Sequence, residues 1–169
     1  VRNDARSEHL LVPVPASASS IALDPDLWIL KAGHTTGAYV VGPPKIIGAS
    51  PAPDDVLTVS APAQLSVAFL RDVQINASHV SLAADSWGPV TFSFAYDQPT
   101  RTMTITPTSP MHPDGYTLTI SDAVKAVAGQ LALDGEIAGS LASGPLPSGD
   151  GLPGGDAAVR FAYTPPVVC

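Results

Sequence analysis

The sequence predicts an all-β protein, a two-layer sandwich of about seven short strands that follows an N-terminal extension. Three observations support this prediction. Apolar residues alternate with hydroxyl-bearing or small residues in several short segments. Turn residues separate these segments, and the 14 glycines and 18 prolines of the 169-residue chain indicate many turns. A helical period is not convincing anywhere, since even the best segment, 122–133, is interrupted by Gly129.

The first predicted strand opens with the adjacent apolar pair Ile46 and Ile47. The other six present apolar side chains on one face: Leu65, Val67 and Phe69; Val80 and Leu82; Val90, Phe92, Phe94 and Tyr96; Met103 and Ile105; Tyr116, Leu118 and Ile120; and Val159, Phe161 and Tyr163. Short alternating strands with turn signals at roughly ten-residue spacing are typical of an immunoglobulin-like β-sandwich.

Composition divides the chain into three parts. Residues 1–32 are predicted to be an N-terminal extension or the end of a preceding β domain, and Pro13 and Pro15 make their first apolar run an edge strand at best. Residues 33–44 are a predicted linker rich in glycine and proline. Residues 45–166 are the predicted sandwich. Its one irregularity is the long Gly-, Pro- and Ser-rich segment at 134–156, and loops of this length are often functional or disordered.

Charge is sparse and acidic. Charged residues make up 14% of the chain, and eight basic against fifteen acidic residues give a net charge of −7. Nucleic acid is excluded as an expected partner, because a phosphate-binding surface needs clustered Lys and Arg. Membrane insertion is not expected either, since no apolar run is long enough to span a bilayer. Sparse charge together with many Ser, Thr and Ala residues favours an extracellular or cell-surface location.

An aromatic row at Phe92, Phe94 and Tyr96, with Trp87 nearby, has two interpretations. It is either a stacking platform for sugars or one apolar face of a buried sheet. Strict alternation favours the buried face, because successive side chains of a strand point to opposite sides. Exposure of Trp87 would keep a glycan ligand in consideration.

Four acidic residues of the long loop, Asp134, Glu136, Asp150 and Asp156, are the candidate metal ligands. Calcium takes six to eight oxygen ligands, which a Gly-rich loop can supply from carboxylates and carbonyls together. The alternative is ordinary turn chemistry, in which Asp side chains bond to nearby backbone N–H groups.

Other chemistry has little support in the sequence. The histidines lie far apart without the spacing of zinc ligands. No serine lies in the context of a known nucleophile. We therefore predict no catalytic residue in this chain, and calcium is its one candidate cofactor.

Several tracts resemble bacterial Ig-like domains of the type first described in S-layer proteins. The opening at 44–52 has the spacing of that family's first strand, and Pro-Asp-Gly-Tyr-Thr-Leu-Thr-Ile at 113–120 resembles its late strand. The tract Ala-Gly-Gln-Leu-Ala follows at 128–132 and resembles that family's Ala-Gly-x-x-Leu element, with its leucine one position earlier. The resemblance covers about 44–164, and the loop at 134–156 is an insertion. It implies a spacer or accessory module in a secreted or surface protein.

The segment at 21–31, Ile-Ala-Leu-Asp-Pro-Asp-Leu-Trp-Ile-Leu-Lys, resembles the end of a β domain in zinc aminopeptidases of the M1 type. The resemblance implies that this chain is the C-terminal part of a secreted metallopeptidase-like protein. That family's His-Glu-x-x-His motif is absent, so no peptidase residue is carried over. The expected function is a non-catalytic accessory domain whose partners are adjacent domains of its parent protein. The alternative is a carbohydrate- or surface-binding module stabilised by calcium.

Overall fold

The computed structural model describes residues 42–137 and 146–166. The predictions for 1–32 and for the linker up to residue 41 lie outside these ranges. The described part contains a 3₁₀ helix at Ala77–His79 and eleven strands. The strands are β1 (Ile46–Ser50), β2 (Asp55–Leu57), β3 (Leu65–Phe69), β4 (Val73–Gln74), β5 (Val80–Ala84), β6 (Gly88–Pro89), β7 (Phe92–Asp97), β8 (Thr102–Pro107), β9 (Asp114–Ile120), β10 (Lys125–Ala126) and β11 (Ala157–Tyr163).

Two main sheets form the domain. One has four strands in the order β1-β3-β8-β7, and the other has five in the order β2-β11-β9-β5-β6. A further two-stranded ladder joins β10 to β4. The strand pairs are antiparallel except for β2 and β11, which run parallel. The all-β, immunoglobulin-like sandwich that the sequence predicts is confirmed.

The core lies between the two sheets. The four-stranded sheet contributes Leu65, Val67, Phe69, Met103 and Ile105, and the five-stranded sheet contributes Leu82, Tyr116, Leu118, Ile120, Val159 and Phe161. These residues occupy the alternate positions of their strands, since only every second side chain faces the opposite sheet. Each of them is at most 3% exposed.

The seven predicted strands are present as β1, β3, β5, β7, β8, β9 and β11. The four strands that the sequence did not predict are only two or three residues long, too short for alternation to show. No helix in the described ranges is long and apolar enough to cross a membrane.

The aromatic row of β7 packs against the core, as its alternation predicts. Phe92, Phe94 and Tyr96 are half-buried, while the side chains between them are exposed. The ring of Tyr96 meets Phe69 edge to face, with ring centroids 6.3 Å apart. Its hydroxyl donates to Oδ1 of Asp72 at 2.9 Å. This row is therefore a wall of the core rather than an open stacking platform.

Candidate functional site

Three of the four predicted acidic ligands come together at the edge of β1. Carboxylate oxygens of Asp134, Glu136 and Asp150 all lie within 4.8 Å of one another, with Asp134 buried and the other two exposed. Asp156 has a separate role, because its Oδ1 accepts a hydrogen bond from the backbone N–H of Asp122 at 2.8 Å. Among residues 42–137 and 146–166, this trio is the one acidic group compact enough to share a cation.

Both oxygens of the buried Asp134 carboxylate are engaged. Lys45 Nζ lies 3.0 Å from Oδ2, and the Lys45 side chain is 23% exposed. The backbone N–H of Asp150 donates to Oδ1 at 2.9 Å, and that of Gly151 donates to Oδ2 at 2.8 Å. A buried carboxylate is tolerated when a cation and hydrogen-bond donors surround it, so Asp134 is a satisfied ion.

The buried Ser148 joins this ion pair to β1. Its hydroxyl donates to the Asp134 carbonyl at 2.6 Å and accepts the backbone N–H of Ile46 at 2.9 Å. The Ser148 N–H in turn donates to the Ile46 carbonyl at 2.9 Å. We refer to Lys45, Asp134 and Ser148 as the N-terminal clamp, because they fasten the chain where β1 begins.

Two glycines explain why the loop around the clamp is rich in this residue. Gly149 has φ of +84°, and a Cβ there would overlap the Asp134 carboxylate. Gly155 has φ of +83°, and a Cβ there would overlap the Glu136 carboxylate. Only glycine combines left-handed backbone with such close approach at little steric cost. The high glycine content of this segment, which in the sequence suggested a flexible ligand-binding loop, here allows the backbone to pack closely against the carboxylates of Asp134 and Glu136.

Sequence reasoning missed Lys45 and Ser148. Lys45 is a single basic residue beside the predicted linker, and its partner Asp134 lies far along the sequence. Ser148 is one of many serines in the chain. Neither position belongs to a motif, so only the pairing of distant segments could reveal them.

A second candidate feature lies where β5 turns into β6. The indole of Trp87 is 67% exposed and stacks on the imidazole of His112, with ring centroids 5.0 Å apart and an angle of 28° between the planes. The carbonyl of His112 accepts a hydrogen bond from the buried Tyr116 hydroxyl at 2.7 Å. The His112 backbone is thereby anchored to the core.

The carboxylate of Asp114 holds the turn that carries Trp87. It accepts the backbone N–H of Ser86 at 2.8 Å, the Ser86 hydroxyl at 3.1 Å and its neighbour Gly115 N–H at 2.9 Å. These hydrogen bonds, the one from the Ser86 N–H foremost, lower the pKa of Asp114 below its ordinary value.

A shallow groove of about 240 Å³ begins beside this turn, on the five-stranded sheet. Its polar lining includes Asp54, Asp55, Asp85 and Arg160, and the exposed Val56 is also part of it. Arg160 Nη2 lies 3.3 Å from Oδ2 of Asp85, and both side chains are largely in solvent.

Residues 40–140 match the family described as a bacterial Ig-like domain, and the chain belongs to that family. A search of curated proteins found no match. Among solved structures, the fold is similar to CopC from Methylosinus trichosporium OB3b, with 12% identity, a TM-score of 0.50, and coverage of 75% of this chain and 98% of CopC. It is also similar to PcoC, a methionine-rich copper resistance protein from Escherichia coli, with 15% identity, a TM-score of 0.44, and coverage of 71% and 97%.

At 12% identity the likeness to CopC concerns the fold alone. The predicted membership among bacterial Ig-like domains is confirmed by the family match. The closer resemblance to the S-layer type stays a prediction. The aminopeptidase resemblance at 21–31 lies outside the described residues.

Proposed function

We propose that this chain is a non-catalytic accessory or spacer domain of a secreted bacterial multidomain protein, located outside the cell or on its surface. Membership in the bacterial Ig-like family and the low content of charged residues support the proposal. The observation that carries it is the N-terminal clamp. Its one buried carboxylate and its buried hydroxyl fasten the first strand.

A domain that separates or anchors its neighbours has to keep its terminal strands in place when the chain is pulled. Among the described strands, β1 lies at the edge of its sheet and pairs with β3. Pulling the chain at Lys45 would therefore put the load on the ladder that joins β1 to β3. The clamp adds to that hold through the Lys45–Asp134 ion pair and through the hydrogen bonds of Ser148 with Ile46 and Asp134.

The parent protein in this proposal is a zinc metallopeptidase of the M1 type, and the domain is of the S-layer type. Support comes from sequence resemblance alone, at 21–31 for the peptidase and at 44–164 for the domain type. The adjacent domains of that parent protein would be the partners of this one.

Two measurements test the proposal. Sequencing the coding region upstream of Val1 should show a His-Glu-x-x-His motif and a downstream glutamate, and an upstream region that encodes no such motif contradicts the peptidase parent. The purified 169-residue chain should not hydrolyse aminoacyl p-nitroanilides, with or without added zinc. Zinc-dependent hydrolysis by the chain itself would overturn the non-catalytic assignment.

Calcium is a second candidate, favoured by the convergence of the three carboxylates. Lys45 already neutralises Asp134, so a calcium ion would lie toward the exposed Glu136 and Asp150 and take its remaining ligands from carbonyls or water. In this proposal the ion stabilises the spacer and has no catalytic role.

A further inference from the structure

Trp87 is unusual among the exposed apolar side chains of the described residues. The others are aliphatic: Ile47, Val56, Val59, Val127 and Leu152. Burying a tryptophan side chain is favourable because it removes a large apolar area from water. With two-thirds of its surface exposed, Trp87 contributes little of this free energy to folding. Exposed large aromatics of this kind are typical anchors of binding surfaces.

The indole is also held rigidly before any ligand arrives. His112 covers part of it in the stack, Asp114 fixes the backbone of its turn, and the Tyr116 hydroxyl fixes the backbone of His112. A ring that is already ordered loses little conformational freedom on binding, which favours affinity.

The neighbouring groove indicates the class of ligand. Asp85, two residues before Trp87, lies in the groove with Asp54, Asp55 and Arg160. Carboxylates accept hydrogen bonds from hydroxyl groups, and a guanidinium donates to them. Three carboxylates against one guanidinium repel an anionic ligand, and a purely apolar ligand would take these charged groups out of water without offering them a hydrogen bond.

We propose that Trp87 and this groove bind a neutral glycan. A pyranose ring offers an apolar C–H face that stacks on the indole, and its hydroxyls are partners for Asp85, Asp55 and Arg160. The aromatic row of β7 takes no part, since it packs on the core. The inference is independent of the spacer function. The domain could act as a spacer without binding a glycan, and it could bind a glycan without being part of a peptidase.

The test is isothermal titration of the 169-residue chain with three neutral oligosaccharides: cellohexaose, laminarihexaose and mannohexaose. We expect saturable binding of at least one of them, weakened about tenfold or more in Trp87→Ala. Trp87→Phe should retain part of the affinity because it keeps a ring. Asp85→Asn should weaken binding while leaving the stack in place. Val59→Ala, which alters another exposed apolar side chain, is the matched control and should bind like the unaltered chain.

A fluorescence titration locates the site. Trp28 and Trp87 are the two tryptophans of the chain, so the ligand-induced change in emission should persist in Trp28→Phe and disappear in Trp87→Phe. Absence of binding to all three oligosaccharides would overturn the proposal. Unchanged affinity in Trp87→Ala, or tighter binding of hexagalacturonate than of the neutral sugars, would overturn it equally.

Discussion

Replacing Lys45 by methionine tests the N-terminal clamp. Methionine keeps most of the apolar stem but removes the ammonium group 3.0 Å from the Asp134 carboxylate. The carboxylate would stay buried with two backbone N–H donors and no cation. Removing one partner of a buried ion pair costs about 3–5 kcal/mol. Because the Lys45 side chain is 23% exposed and water can reach it, we expect about 2–3 kcal/mol here.

The assay is urea denaturation of the full chain followed by tryptophan fluorescence and circular dichroism. The free energy of unfolding should fall while the denaturant slope stays constant, since the same surface is exposed on unfolding. Asp134→Asn and the double variant complete a thermodynamic cycle, which should give a coupling energy of about 1–3 kcal/mol.

The chain offers a matched control in Arg160 and Asp85. This ion pair has a similar separation of 3.3 Å but is largely exposed, at 64% and 51%. Arg160→Met should therefore change the stability by less than about 1 kcal/mol. If Lys45→Met costs no more than Arg160→Met, the clamp contributes nothing beyond a surface ion pair and the reasoning is refuted.

Three further predictions concern the loop and the turn at Asp114. Gly149→Ala should destabilise the fold by about 2 kcal/mol or more, because its Cβ would meet the Asp134 carboxylate at positive φ. Gly151→Ala has open space around its Cβ and should cost about 1 kcal/mol in the same urea denaturation assay. Equal costs for the two variants would contradict the contact at Gly149. Since the pKa of Asp114 is lowered in the folded state, its carboxylate stabilises the fold above the unfolded pKa of about 3.9 and loses this effect as pH falls through the folded pKa. The stability gap between the unaltered chain and Asp114→Asn should therefore narrow below about pH 4, and a gap that widens in acid refutes the sign. Calcium added after EDTA treatment should raise the melting midpoint, and Glu136→Gln should remove that rise; an unchanged midpoint argues against calcium at this loop.

Alternation made six of the seven longer strands predictable, while β1 was predicted from the adjacent apolar pair Ile46 and Ile47. In β9, Tyr116, Leu118 and Ile120 face the core while Thr117 and Thr119 do not, so the period of two is visible in the sequence itself. β2 gave no such signal, because three residues cannot display a period and its ladder to β11 is set by a strand far along the chain. Short edge strands of this kind depend on tertiary pairing.

The candidate site was predictable in part. Asp134, Glu136 and Asp150 were identified from the acidic, Gly-rich loop, and the structure brings their carboxylates together. Composition could not distinguish a buried acid from exposed ones, nor show that Lys45 is the partner of Asp134. The sequence also could not show whether Trp87 is exposed, because the exposure of an aromatic residue at a turn depends on its neighbours in space, here the His112 ring.

The most direct test of the spacer account is single-molecule force spectroscopy of tandem copies of the 169-residue chain pulled through their termini. The unaltered domain should unfold at a higher force than Asp134→Asn, and at a higher force than Lys45→Met. Arg160→Met should unfold like the unaltered domain. Equal unfolding forces for the unaltered domain and both clamp variants would contradict the claim that the clamp holds the first strand under load.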